Sequence, residues 1–286
     1  MSVRVEWPTP GIAVVVIDAP ETNNALTKDM LIELAGAFRG LRENTETRVA
    51  VLTGAGTSNF CAGIDLKHAH FVFKMDEFDF GSDPVYQMEH ATFPIIGAVR
   101  GHAINAGFEI ALACDILLCD ATAQFLDTHA KLGLIPSWGL SSKLNRIIGP
   151  GAASRASLAC RAIRAQEAKE RGLVVEVVGG GRGDRSDKVS NNHSKSLNAL
   201  SNISFKGNIP KDALMAEALG LAIAIAKNKK SSVARIKRGL GNSYSKPFGE
   251  ARSEERKGAF VQYRALPEAF FKKMKQAAGL KPRAKL

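Results

Sequence analysis

Short β-branched runs and amphipathic stretches alternate along residues 1–178. Val14-Val15-Val16-Ile17, ended by Asp18 and Pro20, reads as a strand. Thr27 is placed to cap a helix through about Leu41, with apolar residues at 30, 31, 34, 38 and 41. Arg48 to Thr53 is the next strand, and Gly54-Ala55-Gly56 turns the chain. Strand, helix and strand in this order predict an α/β fold with crossovers. The same signals recur downstream. Pro94 to Val99 reads as a buried strand, Gly101 to Gly107 as a small-residue loop opening a helix over Phe108–Ala113, and Asp115 to Cys119 as the following strand. Helices at about 140–148, 150–159 and 165–171 precede a last short strand, Leu173 to Val178. Residues 67–93 hold Phe71, Phe73, Phe78, Phe80 and Tyr86 and predict short helices over a pocket.

The texture changes after 178. Residues 179–209 are rich in Gly, Ser, Asn and charge and carry no periodicity. About thirty such residues are unusual inside a compact domain, so the segment reads as a disordered insertion. It is either a tolerated surface loop or a stretch absent from the native protein. From Pro210 helical periodicity returns over Ala213–Lys227, Ser232–Leu240, Phe248–Arg264 and Pro267–Gln276. The organisation expected is a core over 1–178, an insertion over 179–209 and a helical region over 210–286.

Composition narrows the classes. Hydrophobic residues make up 45% and charged residues 23% of 286, which excludes collagen, coiled coil and wholesale disorder. No run of eighteen apolar residues predicts a membrane span, and the first residues lack the apolar stretch of a secretory signal. The net charge of +11 calls for an anionic partner or a basic surface. Its excess gathers at Lys227-Asn228-Lys229-Lys230 and Lys272-Lys273-Met274-Lys275. Neither a Cys/His finger nor an aromatic-basic RNA motif accompanies it. No nucleic acid is therefore expected, and a phosphate-bearing small molecule fits the charge. Cysteines 61, 114, 119 and 160 have no CxxC spacing, and His68, His70, His90, His102 and His193 form no ligand pattern, so no metal is expected. Ser141 and Ser142 lack a nucleophile-elbow setting.

Two segments carry the chemistry. Phe60-Cys61-Ala62-Gly63-Ile64-Asp65-Leu66 follows a strand and a Gly-rich turn, and Gly101 to Glu109 follows another strand and opens a helix. Small residues let a ligand approach the backbone, and unpaired N–H groups at a helix start can hold an oxyanion. Either segment alone also fits tight packing. Together with Asn23-Asn24-Ala25-Leu26, Val51 to Gly56, Pro94 to Asp115 and Ala123 to Gly149, the pattern resembles the enoyl-CoA hydratase/isomerase (crotonase) superfamily; Asp83 to Glu89, Gly107 to Asp115 and Ile135 to Ser141 resemble its plant peroxisomal branch.

The resemblance implies a crotonase (ClpP/crotonase-like) spiral of ββα units with a C-terminal helical trimerisation region, assembling as a homotrimer or homohexamer. It implies an acyl-CoA substrate whose thioester carbonyl sits between the N–H groups of Ile64 and Ala106, where the family usually has Gly at the second position. It carries CoA contacts onto Ala25, Leu26, Ala62, Gly63, Ile64, Asp65, Leu66 and Ala106. No separate cofactor is implied, since coenzyme A enters as part of the substrate. Glu109 matches the first of two glutamates that handle one water in the hydratases of this superfamily. A glutamate buried in an apolar helix is costly without a partner or a task. His129, in Asp127-Thr128-His129-Ala130, stands where the second glutamate is expected. It is either a second acid/base or a structural histidine bonded to Asp127.

The reaction implied is reversible hydration of trans-2-enoyl-CoA to 3-hydroxyacyl-CoA in fatty-acid β-oxidation. The alternatives are other enolate chemistry on acyl-CoA (isomerisation, decarboxylation or thioester hydrolysis) or a catalytically weak acyl-CoA-binding protein. The final Ala284-Lys285-Leu286 resembles the Ser-Lys-Leu address read by the peroxisomal import receptor.

Overall fold

The computed structural model describes residues 2–179, apart from Met75, Glu77 and Phe78, and residues 212–277. Both the expected insertion, from residue 180 on, and the Ala284-Lys285-Leu286 tail lie outside the described residues. Two compact units divide the chain, 1–234 and 235–286.

In the first unit the strands are β1 (Val3–Thr9), β2 (Ile12–Ile17), β3 (Val49–Gly54), β4 (Asn59–Cys61), β5 (Ile95–Val99), β6 (His102–Ile104), β7 (Ile116–Asp120), β8 (Gln124–Leu126), β9 (Ile163–Arg164) and β10 (Glu176–Val178). They build two sheets, ordered β1-β2-β3-β5-β7-β10 and β4-β6-β8-β9. Only β1–β2 and β8–β9 pair antiparallel. The pairs β3/β4, β5/β6 and β7/β8 each place one strand in either sheet, which is the expected spiral of ββα units. The helices are α1 (Lys28–Glu43), α2 (Ala69–Val72), α3 (Pro84–Glu89), α4 (Ala106–Leu112), α5 (His129–Leu132), α6 (Leu140–Ile148), α7 (Pro150–Leu158), α8 (Ala165–Glu170) and α9 (Ala213–Ala226).

The large sheet is covered on both faces, so its inner strands are apolar throughout. Alternation sorts the side chains. In β2, Ala13, Val15 and Ile17 join the core shared with α1, while Ile12, Val14 and Val16 join the core under α9. The Thr27 hydroxyl caps α1 by accepting from the Met30 N–H at 3.3 Å. Asp212 does the same for α9, accepting from Met215 N–H at 2.9 Å. Its carboxylate also takes a bidentate pair from buried Arg100, at 2.6 and 2.7 Å, while Arg100 Nη1 donates to Thr53 at 3.0 Å. Helix α9 is thus clamped to the strand end just before β6.

Expectation and structure differ at a few elements. The edge strand β1 was not among the expected elements, although Val3, Val5 and Trp7 alternate with Arg4, Glu6 and Pro8 at the period of a strand. The last strand is shorter than expected. Leu173 and Val174 are buried, but ladder pairing with β7 begins only at Glu176.

Unit two holds most of α10 (Lys230–Ser245), with α11 (Phe248–Arg264) and α12 (Glu268–Ala277). Asn242 donates to Glu254 at 3.0 Å and Arg235 to Gln262 at 2.8 Å, which clasps α10 against α11 at both ends. Neither helix contains a buried residue.

Candidate active site

Glycines bring the two small-residue segments together. Gly63, at φ +92°, packs so closely that a Cβ there would lie 2.8 Å from the Ile104 carbonyl. A Cβ on Gly107 would lie 2.3 Å from the Cys61 carbonyl. The chain after β4 is therefore laid directly on the turn between β6 and α4. Ala25–Leu26 is laced to the same strip: Leu26 N–H donates to Gly63 O at 2.7 Å, and Asp65 N–H to Leu26 O at 2.9 Å. In this parallel bridge the Ile64 N–H points away from Leu26 and meets no acceptor among the described residues. Ala106 is the first residue of α4, where helical N–H groups have no partner within the helix. Both expected oxyanion donors are thus unpaired and sit on neighbouring, packed segments.

Not every residue matched to CoA contact behaves alike. Gly63 packs against Ile104, and the Ala62 N–H donates to Asn23 O at 3.1 Å. The Asp65 side chain instead serves its own turn, accepting from Lys67 N–H at 2.9 Å and pairing with His68 Nδ1 at 2.9 Å. The His68 and Lys67 bonds hold its carboxyl below the usual range. Leu66 is exposed.

Glu109 follows one turn into α4 and is 1% exposed. Its Oε1 accepts from the Trp138 N–H at 2.7 Å and the Leu140 N–H at 3.4 Å. No protein donor among the described residues reaches Oε2, which is left for a small reactant. Burial pushes the Glu109 carboxyl up from its ordinary value, opposed by the Trp138 N–H, the charge of His129 and the Leu140 N–H. The Trp138 side chain also bonds Asp83, which caps α3 by accepting from Tyr86 N–H at 2.9 Å.

His129 opens α5 and is 8% exposed. Its Nδ1 meets Asp127 Oδ1 at 2.7 Å, and its backbone N–H donates to the same oxygen at 3.1 Å. Burial would raise the Asp127 carboxyl, but bonds from the His129 ring, the Ser157 hydroxyl and the His129 N–H hold it below its ordinary value. A carboxylate only accepts, so Nδ1 carries a proton and Nε2 is the nitrogen available to a substrate. The bond to Asp127 expected of a structural histidine is present, and it leaves Nε2 without a partner among the described residues.

The arrangement offers two oxyanion donors, one buried carboxylate with an unengaged oxygen, and an oriented imidazole. Asn105, Thr128 and Trp138 support it and were not among the expected site residues; Asp127 was expected as a partner of His129. Trp138 acts on Glu109 through its backbone, which leaves no side-chain signature. Among the described residues no group of three His, Cys, Asp or Glu side chains is placed to hold a metal ion.

Known proteins resemble this chain in sequence and fold. Residues 9–202 match the enoyl-CoA hydratase/isomerase family model. The chain is 38% identical over 274 residues to an Arabidopsis thaliana protein named probable enoyl-CoA hydratase 1, peroxisomal, covering 96% of this chain and 91% of the relative. It is 33% identical over 170 residues to a crotonyl-CoA hydratase of Syntrophomonas wolfei, covering 58% of this chain and 65% of that one. Among solved structures, an enoyl-CoA hydratase from Bacillus anthracis superposes with a TM-score of 0.75 at 26% identity, covering 100% of this chain and 99% of that one. One from Geobacillus kaustophilus superposes with a TM-score of 0.76 at 24% identity, covering 100% and 98%, which speaks to the fold. With two unpaired donors laid side by side next to a buried glutamate, and with relatives of that name along its length, this chain belongs to the enoyl-CoA hydratase/isomerase family.

Proposed function

We propose that this protein is an enoyl-CoA hydratase that adds water reversibly to trans-2-enoyl-CoA, giving 3-hydroxyacyl-CoA in fatty-acid β-oxidation. The observation that carries the reading is buried Glu109, whose Oε2 is unengaged, beside the Ile64 and Ala106 N–H donors. The thioester oxygen takes hydrogen bonds from those two donors. Glu109 Oε2 accepts a proton from water as the water oxygen bonds C3. The C2–C3 π pair moves onto the thioester as an enolate, whose charge the two N–H groups hold. C2 then takes the proton on Nε2 of His129, Asp127 balancing the ring, and proton exchange with solvent returns Glu109 and His129 to their starting states. One such donor is worth about 3–4 kcal/mol of transition-state stabilisation in comparable sites. Part-exposed Ala25 and Ala62 border the CoA side, while Leu26 is fully buried beneath it, and the basic composition suits the phosphates of CoA.

Helices α10 and α11 bury none of their residues, and Ile236, Leu240, Tyr244, Phe248 and Val261 are exposed. Exposed apolar side chains of this kind are found on association surfaces, which supports assembly as a homotrimer or homohexamer. The Ala284-Lys285-Leu286 ending and the name of the Arabidopsis relative support peroxisomal delivery through the import receptor.

The single carboxylate favours one second reading. A proton shift between carbons needs one base, so double-bond isomerisation would use Glu109 alone, with His129 structural. Glu109→Gln tests the role of the carboxylate. Under the hydratase reading turnover of trans-2-enoyl-CoA is abolished while CoA-ester binding persists; retained turnover removes Glu109 from the mechanism.

A further inference from the structure

Asn105 adopts φ 48° and ψ −111°, a region that L side chains rarely enter and that persists only where surrounding contacts hold it. Glycine would take these angles without steric cost, so the backbone conformation taken alone would favour glycine. The asparagine side chain is fully used instead. Its Oδ1 accepts from the Thr128 backbone N–H at 2.6 Å and lies 3.1 Å from the Thr128 hydroxyl, and its Nδ2 donates to that hydroxyl at 2.9 Å. The Thr128 N–H can only donate, which settles the orientation of the amide. The backbone joins in: Asn105 N–H donates to Leu126 O at 2.9 Å, and Asn105 O accepts from Glu109 N–H at 2.8 Å.

The neighbours of the two clasped residues give the clasp its meaning. The ψ of Asn105 sets the plane of the peptide that carries the Ala106 N–H. Thr128 immediately precedes His129. We propose that the Asn105–Thr128 clasp is a positioning device that aims the Ala106 N–H at the thioester oxygen and holds His129 in register with it. Asn105 and Thr128 themselves need touch no reacting atom. Backbone strain is retained here because it orients one donor and ties it to the second acid/base group. The inference rests on the roles given above to Ala106 and His129.

Asn105→Gly removes both the strain and the clasp. The expected result is a melting temperature at or above that of the native protein, kcat lowered about tenfold or more, and KM within about twofold. Thr128→Val, which removes the hydroxyl, lowers kcat in the same direction, and Thr128→Ser restores it relative to Thr128→Val. The infrared C=O stretch of a bound saturated acyl-CoA reports thioester polarisation without any reaction. In Asn105→Gly it moves toward the value of free thioester. Native kcat together with a native C=O frequency in Asn105→Gly overturns the proposal, as does a Thr128→Val that behaves like Thr128→Ser. Failure of the hydratase reading looks different: the native protein does not hydrate, while the C=O shift still reports on the clasp.

Discussion

Gly107→Ala separates the two proposed oxyanion donors, the Ile64 and Ala106 N–H groups, without touching either. The added Cβ would lie 2.3 Å from the Cys61 carbonyl oxygen, 2.8 Å from Cys61 Cβ and 2.9 Å from its sulfur. Non-bonded heavy atoms settle near about 3.5 Å, so about 1 Å of movement is required. Cys61 cannot swing aside, because the nearest atom is backbone and β4 is paired there with Ala103 of β6. The first turn of α4 must lift instead, or the strip carrying Ile64 must drop. Either movement falls between the Ala106 and Ile64 N–H groups. A misplacement of about 1 Å costs on the order of 10²-fold in rate, and overpacking costs about 1–3 kcal/mol of stability. Initial rates of trans-2-enoyl-CoA hydration, with calorimetric melting alongside, should show kcat down by on the order of 10²-fold with KM changed much less. Gly151→Ala, in α7 with nothing within 4 Å of the new Cβ, is the control and keeps native activity. A Gly107→Ala protein that melts lower yet turns over at the native rate refutes the claim that the packed segments form the oxyanion hole.

Other outcomes follow from the same geometry. His129→Ala should lower hydration by about 10²–10⁴-fold, as loss of a general acid does, while any double-bond isomerase activity survives. Loss of both together would make His129 structural. Because burial raises the Glu109 carboxyl, the acid limb of kcat/KM should fall above the ordinary glutamate value of about 4.3; a limb at or below that value contradicts Glu109 as the base. Asp212→Ala leaves Arg100, 3% exposed, without its carboxylate. Breaking a buried pair costs about 3–5 kcal/mol, and the part-exposed Asp212 lowers the expected loss to about 1–3 kcal/mol in denaturant melts. Burial alone would raise the Asp212 carboxyl, but Arg100 outweighs it and holds it below its ordinary value. A depressed folded-state value means the contribution is present above the unfolded carboxylate range and is lost as pH falls through the folded value. The stability gap between native and Asp212→Ala proteins should therefore narrow on acidification below about pH 4.

How far the sequence disclosed the fold depended on burial. Strands β2, β3, β5 and β7 are covered on both faces and read as continuous apolar runs. Edge strand β1 alternates valines with Arg4 and Glu6, and the second sheet is built from strands of two or three residues, too short for a period to appear. Glu109 stood out because an acid in an apolar helix start needs a reason. Asn105 and Thr128 gave no such sign. Their bonds exist only because Ile104 of β6 registers with Leu126 of β8, which brings residues twenty-three positions apart together. The Trp138 contact to Glu109 is a backbone contact that any residue except proline could make there.

The most direct test of the proposed reaction is the mass of the product formed from a trans-2-enoyl-CoA by the full-length native protein, with Glu109→Gln run beside it. Gain of one water by the native protein, absent in the variant, is the predicted result. Saturable binding of the thioester with no gain of water, or an equal gain in both proteins, would contradict the assignment of Glu109 and its paired N–H donors to hydration.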